Sequence, residues 1–455
     1  MRNSINRGKQ VMRFLGFVLI LSLSTVGCVA TKTDQGSLNQ VMSTVNQDQI
    51  IVAESEEGRT IKVPKPLVTY IDENIEGGMR QQVLNDMEAA VTALEIGQPA
   101  YTRAILADAY TIVETVYADN EAAKAARSKF VPESNKDFKG EVHERAMIGY
   151  YLGISDLIAG DMENAKVSFK WGELQDTMSS SEDYQSDFSL LNFLMGWTDQ
   201  CNGDLAGAEV HYAKANEYNQ SFLRPSPGDN LLVLAETGGA PVKKRSGEYG
   251  EELFYAPSEI PPADEVVFNY NGTEKLSSII ESIYFQATTR GGREIDKILA
   301  GKANFKEGAE KTSKVAAATT KAGMGVTTYG MATGNNDLAT AGAIVSLVSF
   351  GISVGSKMVA YSTTPEADIR YWSNLPSEVH AVTMQKTSSN MDERVKVAYN
   401  YPDGSATVEK ELKLYRTGDC YLAWAKDTTP IEYTNWDPTQ ADNWVLVETV
   451  ASPKK

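Results

Sequence analysis

The sequence predicts a mainly α fold: an array of helical hairpins, a Gly/Ala-rich helical hairpin, and a small antiparallel β domain at the C-terminus. Three observations support this prediction. Apolar and Ala residues recur three and four positions apart through 78–224, small residues dominate 305–360, and β-branched residues alternate with polar ones in 380–425. The chain has 455 residues, 42% of them hydrophobic, which is enough for two or three domains of ~150 residues each.

The N-terminus has the pattern of an export signal, predicted to span residues 1–27. Basic residues stand at positions 2, 7, 9 and 13, and the apolar run from Phe14 to Val26 that follows is shorter than the ~20 residues that span a bilayer. The run ends at Gly27-Cys28, which resembles the lipobox of bacterial lipoproteins, although Thr25 departs from the usual Leu. The resemblance implies cleavage after residue 27 and lipid attachment at Cys28. An ordinary secretory signal with an incidental Cys is the alternative.

Charge and cysteine content restrict the partners. The formal net charge is −17, and removal of residues 1–27 takes away four basic groups and no acidic one, so the mature chain has −17 − 4 = −21. A surface of this sign repels nucleic acid, and no nucleic-acid partner is expected. Of the three Cys, Cys28 is assigned to the lipid. Cys201 and Cys420 can pair after export, but two buried free thiols are the preferred interpretation.

A polar segment follows the signal. Residues 29–60 are rich in Ser, Thr, Asn and Gln with little apolar periodicity, which predicts a flexible tether over 28–62. The folded part is expected to begin near Val63-Pro64 with a helical domain over 63–224. Its helices are predicted at 103–118, 141–159, 162–175, 187–201 and 205–217, with turns at Gly160-Asp161 and Gly203-Asp204.

Two of the predicted hairpins share a residue pattern. In each, a Gly is followed at +7 by Gly-Asp, at +12 by Ala and at +16 by an aromatic residue, as in tetratricopeptide (TPR) repeats. We expect the Gly and the Ala to meet where the two helices cross, with the aromatic ring beside them. The period is 43 residues against 34 in the standard repeat, with the additional residues at 176–186. The structural repeat core is Gly153, Ala165, Phe169, Gly196, Ala208 and Tyr212.

The first helix of each TPR unit lines the concave face of the array. Aromatic residues on that face could grip a peptide of a partner protein. The alternative is that these side chains are buried against the rest of the chain. The candidate partner-binding residues are Tyr150, Ile154, Phe193, Trp197 and Gln200, with Leu157 on the same face.

The second half of the chain changes composition three times. Residues 225–262 predict a Pro/Gly-rich connection, and 263–376 predict a helix at 274–300 followed by the Gly/Ala-rich hairpin. Within that hairpin, 338–356 carries no charge; it is interpreted as a buried helix, with membrane insertion or oligomer packing as the alternative. Residues 377–455 predict the small β domain, with strands at 380–386, 394–401, 405–414 and 420–425 and a hairpin turn at Asp403-Gly404.

The segment from Asp368 to Pro376 predicts a domain clasp. Asp368 and Arg370 project on the same side of an extended segment, and Trp372 and Leu375 are large enough to fill a joint. We expect the two apolar side chains to be buried and Arg370 to hydrogen-bond the helical half. Recognition of a partner through Trp372 and Arg370 is the alternative.

No catalytic, metal or cofactor site is predicted. Gly351-Ile352-Ser353-Val354-Gly355 matches G-x-S-x-G but lacks the strand–turn–helix context of a nucleophile elbow. His143-Glu144 fails as the start of H-E-x-x-H because position 147 is Met. The three His residues are widely separated in the sequence, and no pair of carboxylates can be assigned to acid and base roles.

The order of four stretches resembles an uncharacterised family of bacterial TPR-containing envelope lipoproteins. These stretches are Phe138 to Arg145, Gly153 to Phe169, Glu236 to Pro241, and Ala367 to Pro376. The resemblance implies an envelope location and no known catalysis. The sequence thus predicts a scaffold, anchored by lipid at the outer membrane facing the periplasm, that binds another envelope protein or itself. The alternatives are a membrane-inserted secretion or pore component using 312–360, or an envelope hydrolase.

Overall fold

The computed structural model describes residues 51–54, 58–117, 137–177, 187–246, 252–290, 368–401 and 407–450. In these residues, helices cover one face of a five-stranded sheet, and a four-stranded sheet covers the other face. The chain is therefore a mixture of helices and sheets, and the prediction of a mainly α fold is wrong. The signal segment, Cys28, the uncharged run 338–356, Gly351–Gly355 and the turn at 403–404 lie outside the described residues.

In the described residues, seven α-helices precede the first strand of the five-stranded sheet, and those from residue 99 onwards lie close to the predicted positions. The 43-residue pattern predicted the two hairpins that the chain forms at 142–176 and 189–218. Gly160 and Gly203 form their turns, with positive φ angles of 80° and 79°. Asp161 and Asp204 then cap the second helices by accepting bonds from backbone N–H groups. The helices are α1 Val68–Gly77, α2 Met79–Glu95, α3 Pro99–Tyr117, α4 Val142–Ile158, α5 Met162–Asp176, α6 Ser189–Cys201 and α7 Leu205–Tyr218.

The glycine of each hairpin packs against the aromatic ring of the second helix. A Cβ added to Gly153 would lie 2.2 Å from Phe169 Cε1, and one added to Gly196 would lie 2.6 Å from the Tyr212 ring. Gly196 also meets Ala208 as predicted, because an added Cβ would lie 3.2 Å from the Ala208 backbone oxygen, whereas the three atoms nearest to a Cβ on Gly153 all belong to Phe169. Ala165 and Ala208 are both buried. An aromatic ring at +16 is long enough to reach across and cover the glycine.

The closest helix approach involves glycines that the repeat pattern does not include. A Cβ on Gly149 of α4 would lie 2.7 Å from Gly172 Cα on α5. Two backbones can come this near only where neither residue has a side chain. The Gly149–Gly172 contact thus fixes the spacing of the α4–α5 hairpin.

Ion pairs join successive hairpins at equivalent positions. Asp156 lies three residues after Gly153 and pairs with Arg103 of α3 at 2.7 Å. Asp199 lies three residues after Gly196 and pairs with Lys166 of α5 at 2.5 Å. Each hairpin therefore carries an aspartate that reaches back to a cation on the preceding helix.

The strands form two large sheets that combine both halves of the sequence. The five-stranded sheet has the order β12-β13-β3-β9-β8, with β13 and β3 parallel, and the four-stranded antiparallel sheet has the order β11-β10-β6-β7. The strands are β3 Leu231–Thr237, β4 Val242–Ser246, β5 Glu252–Ala256, β6 Glu265–Tyr270, β7 Thr273–Leu276, β8 Ser278–Ser282, β9 Glu378–Met384, β10 Arg394–Asn400, β11 Val408–Lys413, β12 Tyr415–Thr417 and β13 Cys420–Lys426.

This topology corrects three predictions. Residues 225–262 are not only a connection, because they contain β3 and the β4–β5 hairpin. Residues 274–300 do not begin as a helix, because β7 and β8 come first and helix α8 spans Ile283–Arg290. The C-terminal strands do form at the predicted places, but they share their sheets with β3, β6, β7 and β8, so they are not a separate domain.

Strand β3 is buried on both faces. Leu232 and Leu234 belong to the core under the helices, whereas Leu231, Val233 and Ala235 belong to the core between the two sheets. A strand covered on both sides requires a continuous apolar run, and LLVLA is such a run. By the same alternation Glu236 faces the helices.

A third sheet joins the two ends of the described chain. Strand β2 Gly58–Pro64 lies between β1 Ile51–Glu54 and the C-terminal strand β14 Trp444–Val450. The predicted tether over 28–62 is therefore too long, because β1 and most of β2 lie inside it. The register pairs Pro64 with Trp444 and Gly58 with Val450.

The end of the helical array is fastened to the sheet. Cys201 at the end of α6 forms a disulfide with Cys420 at the start of β13, with 5.7 Å between the Cα atoms. The preferred interpretation of two free thiols is therefore wrong. The chain after α7 then folds back over the last hairpin: Phe222 packs on Phe193 at 5.6 Å, and Arg224 lies over the Tyr212 ring.

Candidate functional site

The predicted clasp segment packs against the start of the helical domain. Arg370 holds Asp368 through both carboxylate oxygens and donates a 2.8 Å bond to the backbone carbonyl of Arg80. Its guanidinium carbon lies 5.4 Å from the centre of the Phe138 ring. Trp372 and Leu375 are buried in the core shared by helices and sheet. These contacts are the ones that a clasp requires.

Glu144 connects the clasp to helix α4. Its carboxylate accepts 2.6 Å bonds from the backbone N–H of Trp372 and from that of Glu141 at the helix N-terminus. Burial raises the pKa of Glu144 to about 7, against the lowering effect of nearby Lys243 and the two backbone donors. Burial also acts on Glu141, but its ion pair with Lys243 outweighs that effect and lowers the pKa of Glu141.

Glu236 connects the sheet to the same helix. One carboxylate oxygen accepts from the Tyr150 hydroxyl at 3.0 Å and the Trp424 indole at 2.7 Å, and the other accepts from Tyr151 at 2.7 Å. Burial raises the pKa of Glu236 to about 7, although Lys426 and these donors favour the ionised form. Adjacent tyrosines on α4 thus hold one carboxylate from β3.

Lys426 of β13 completes this junction. Its ammonium donates to the backbone carbonyl of Asn374 and lies 4.0 Å from Glu95 at the end of α2. The Asn374 side chain accepts from the Trp372 indole at 2.6 Å and donates to the Glu88 carbonyl at 2.9 Å. The clasp, helix α2 and the sheet therefore share one hydrogen-bond network through Trp372, Asn374 and Lys426, and Lys426 also favours the ionised form of Glu236 electrostatically. We call Glu144, Glu236, Trp372, Asn374 and Lys426 the polar junction.

The candidate partner-binding residues lie inside the fold. Tyr150, Ile154, Phe193 and Trp197 are buried, because the five-stranded sheet and the chain after α7 fill the side of the array on which they lie. Gln200 donates to the carbonyls of Ser226 and Asp229 and accepts from Tyr212. Peptide binding at the four buried residues is therefore not compatible with this fold, and for them the alternative interpretation, burial against the rest of the chain, is correct, whereas Gln200 is only partly buried.

A third buried glutamate links the second hairpin to the sheet. Glu281 of β8 accepts from the backbone N–H of Leu190 on α6 at 3.2 Å and from Gln286 at 2.9 Å. Burial raises the pKa of Glu281 to about 8. Glu144, Glu236 and Glu281 each bridge separate elements, so the arrangement can respond to protons.

Neither a metal-binding cluster nor a membrane-spanning helix is present in the described ranges. No group of three or more His, Cys, Asp and Glu side chains in those ranges could hold a metal ion. None of the described helices is long and apolar enough to cross a membrane. Comparison of the chain with protein-family models, curated proteins and solved structures finds no match.

The sequence patterns did not identify several residues in and around the polar junction, nor the aspartates that join successive hairpins. Glu236 belongs to the stretch from Glu236 to Pro241 that resembles the lipoprotein family, but no role was predicted for it. A carboxylate that directly follows a continuous apolar run in a strand indicates a buried hydrogen-bond acceptor. Lys426 and Glu95 carried no signal, because single charged residues at strand and helix ends are usually solvated. Asp156 and Asp199 could have been found, since both lie three residues after the repeat glycine.

Proposed function

We propose that this chain is a lipid-anchored scaffold of the cell envelope, attached through Cys28, whose helical hairpins form a TPR-like array. The anchor proposal comes from the signal segment and its Gly27-Cys28 junction. The scaffold proposal comes from the two hairpins, which repeat the same residue pattern and pack glycine against an aromatic ring in both cases.

The disulfide is the observation that supports the anchor most directly. A disulfide between distant elements is typical of exported proteins, because the cytosol keeps thiols reduced. The chain has three Cys, and pairing of Cys201 with Cys420 leaves Cys28 as the remaining thiol. A free thiol at a lipobox junction is the group that acylation requires.

The partner-binding surface of the array is its outer face. The sheet fills the inner side, so a protein partner or a second copy has to contact the second helices of the hairpins. Val167 of α5 and Val210 of α7 occupy equivalent positions and are 47% and 67% exposed. Large apolar side chains repeated on an outer helical surface are suited to another protein surface.

Labelling with radioactive palmitate tests the anchor. The wild-type chain should incorporate label and remain with membranes, and Cys28→Ala should do neither because it lacks the acylated thiol. Cys201→Ala is the matched control, since it removes a thiol of the disulfide and should leave the label in place. Equal labelling of Cys28→Ala and wild type would show that the anchor assignment is wrong.

A second experiment tests the scaffold role. Detergent-solubilised protein is purified from membranes, and its size and co-purifying envelope proteins are compared with those of the double variant Val167→Glu/Val210→Glu. The variant should lose its partner or its self-association, while Ile260→Glu, which alters an exposed Ile on another element, should not. A large ring-shaped assembly formed by both the double variant and the Ile260→Glu variant would instead favour the pore interpretation.

A further inference from the structure

An apolar surface lies in the chain between β13 and β14. Ile431 is 79% exposed, the highest value for a large hydrophobic side chain in the described ranges. Tyr433, Trp436 and Trp444, which follow Ile431 in the sequence, are partly exposed. We call these four residues the aromatic patch. Asp427, Glu432, Asp437 and Asp442 are the acidic residues of the same segment.

Ring contacts attach the patch firmly to the fold. The rings of Trp436 and Trp444 pack edge to face at 5.3 Å, and Trp444 also lies 6.1 Å from Tyr101 of α3. The ammonium of Lys62 lies 3.9 Å from the centre of the Trp444 ring. The Trp444 indole donates a 2.9 Å bond to the carbonyl of Pro438. The patch is therefore an ordered part of the surface.

The patch lies at the end of the small sheet where the N-terminal segment joins it. Ile51, the first residue of β1, pairs with Ile61 of β2, which is three residues from Pro64, the partner of Trp444. Two strand spacings of about 4.8 Å and three residues of about 3.3 Å each place Ile51 about 14 Å from Trp444. The chain that comes from Cys28 therefore meets the fold beside the patch.

We propose that the aromatic patch rests on the headgroup region of the zwitterionic bilayer to which the chain is anchored. This inference rests on the proposed lipid anchor. Trp and Tyr favour the membrane interface because one end of each side chain is apolar and the other polar, and Ile431 adds an apolar side chain that can enter the bilayer. The nearby acidic residues disfavour an anionic lipid surface.

The length of the connecting chain makes this contact reachable. Cys28 and Ile51 are separated by 51 − 28 = 23 residues, whose greatest possible span of about 80 Å far exceeds the distance of about 14 Å from Ile51 to Trp444. The anchor would thus hold the patch at a high local concentration relative to the bilayer. A contact too weak to bind a membrane alone becomes effective in this situation.

Chemical anchoring tests the patch without cellular acylation. The disulfide leaves Cys28 as the free thiol, so the mature chain can be coupled through it to a maleimide phospholipid in phosphatidylcholine vesicles. Brominated lipids in the same vesicles quench tryptophans that touch the bilayer. Trp171, Trp197 and Trp372 are buried, and Trp424 is partly buried inside the core, so quenching reports mainly on Trp436 and Trp444.

The wild type should be quenched, and Trp436→Phe should lose a large part of the quenching. Ile431→Ser should weaken the contact of the coupled chain with the bilayer about tenfold, as expected for one Ile leaving the bilayer, and should reduce the quenching accordingly. Ile260→Ser is the matched control and should behave as wild type.

Three results would overturn the proposal. The first is no quenching in the coupled wild type, and the second is equal quenching of the coupled Ile431→Ser variant and the coupled wild type. The third is a change in tryptophan emission that appears without vesicles as the protein concentration rises, which would make a second copy the occupant. None of these results bears on palmitate labelling of Cys28, so failure of the patch and failure of the anchor are distinguishable.

Discussion

The backbone N–H of Trp372 and the carboxylate of Glu144 are joined by a 2.6 Å hydrogen bond between residues 228 positions apart in the chain. The same carboxylate accepts from Glu141 at the first turn of α4. One buried side chain therefore satisfies a helix N-terminus and fixes the segment that leads into β9. The arrangement makes the clasp a part of the folded core.

The first prediction is that Trp372→Ala destabilises the fold. Truncation of a buried Trp typically costs about 3–5 kcal/mol, and here it also removes the indole bond to Asn374. Residues 377–455 should become sensitive to protease, because the clasp no longer holds β9. The measurements are urea unfolding and limited proteolysis. Ile369→Ala, at an exposed position in the same segment, should change neither. Unchanged protease resistance combined with loss of a co-purifying protein would instead favour partner recognition by Trp372.

The second prediction concerns the Gly149–Gly172 contact. Gly149→Ala places a methyl group 2.7 Å from Gly172 Cα, and the helices must separate to accommodate it. Overpacking of this kind typically costs about 1–3 kcal/mol. The melting temperature should fall by several degrees. Gly228→Ala is the control, because its added Cβ would meet nothing nearer than 3.9 Å. If both variants melt alike, the close approach of α4 and α5 is not as described.

The third prediction is that the disulfide contributes to stability. Cys201 and Cys420 are 219 residues apart, so the bond restricts a large loop of the unfolded chain. Cys201→Ser/Cys420→Ser should lower the free energy of unfolding by about 2–5 kcal/mol. Dithiothreitol should have a similar effect on the wild type and none on the variant. Equal effects of dithiothreitol on both proteins would contradict the pairing.

The fourth prediction is a pH dependence of stability. Burial raises the pKa of Glu144 and Glu236 to about 7 and that of Glu281 to about 8 in the folded chain, whereas the unfolded chain has the ordinary value of 4.5. The folded state then binds more protons between these values, so the free energy of unfolding falls as the pH rises from about 5 to about 8. A shift of this size corresponds to a loss on the order of 3 kcal/mol for one group.

Glu236→Gln isolates one of these contributions. The amide does not titrate, so the variant should lose less stability than the wild type between pH 5 and pH 7, a range that lies between the unfolded value of 4.5 and the folded pKa of Glu236, about 7. Urea midpoints at several pH values measure the slope, and Glu163→Gln on the exposed face of α5 serves as the control. A slope identical to that of the wild type would mean that Glu236 keeps the same protonation state in folded and unfolded chains.

The helices were the most predictable part of the fold. Apolar spacing and Gly-Asp turns located α3 to α7 within a few residues, because both signals are local. The C-terminal strands were also found, since alternation over β10 and β11 is a local pattern. The pairing of those strands with β6 and β3 was not, because register across more than a hundred residues leaves no mark in a single sequence.

The junction shows why burial is harder to predict than secondary structure. Tyr150 and Trp197 were assigned correctly to the first helices of the hairpins, yet their role depended on whether the inner side was open. The five-stranded sheet that closes it includes β3, and β3 lies in a stretch whose prolines and glycines suggested a connection. Because β3 was not predicted, residues that belong to the core were predicted to form a binding surface.

The pairing of β2 with β14 has a consequence for the order of folding. Pro64 and Trp444 are neighbours in the sheet but are 380 residues apart in the sequence. Strand β2 can pair with β1 at once, but it gains its second partner, β14, only after residues 444–450 have been synthesised. Because this pairing joins residues at opposite ends of the described sequence, the small sheet is completed late, and the edge of β2 that faces β14 stays unpaired for longer. Delayed closure of this kind would suit a protein that has to be threaded through a membrane before it folds.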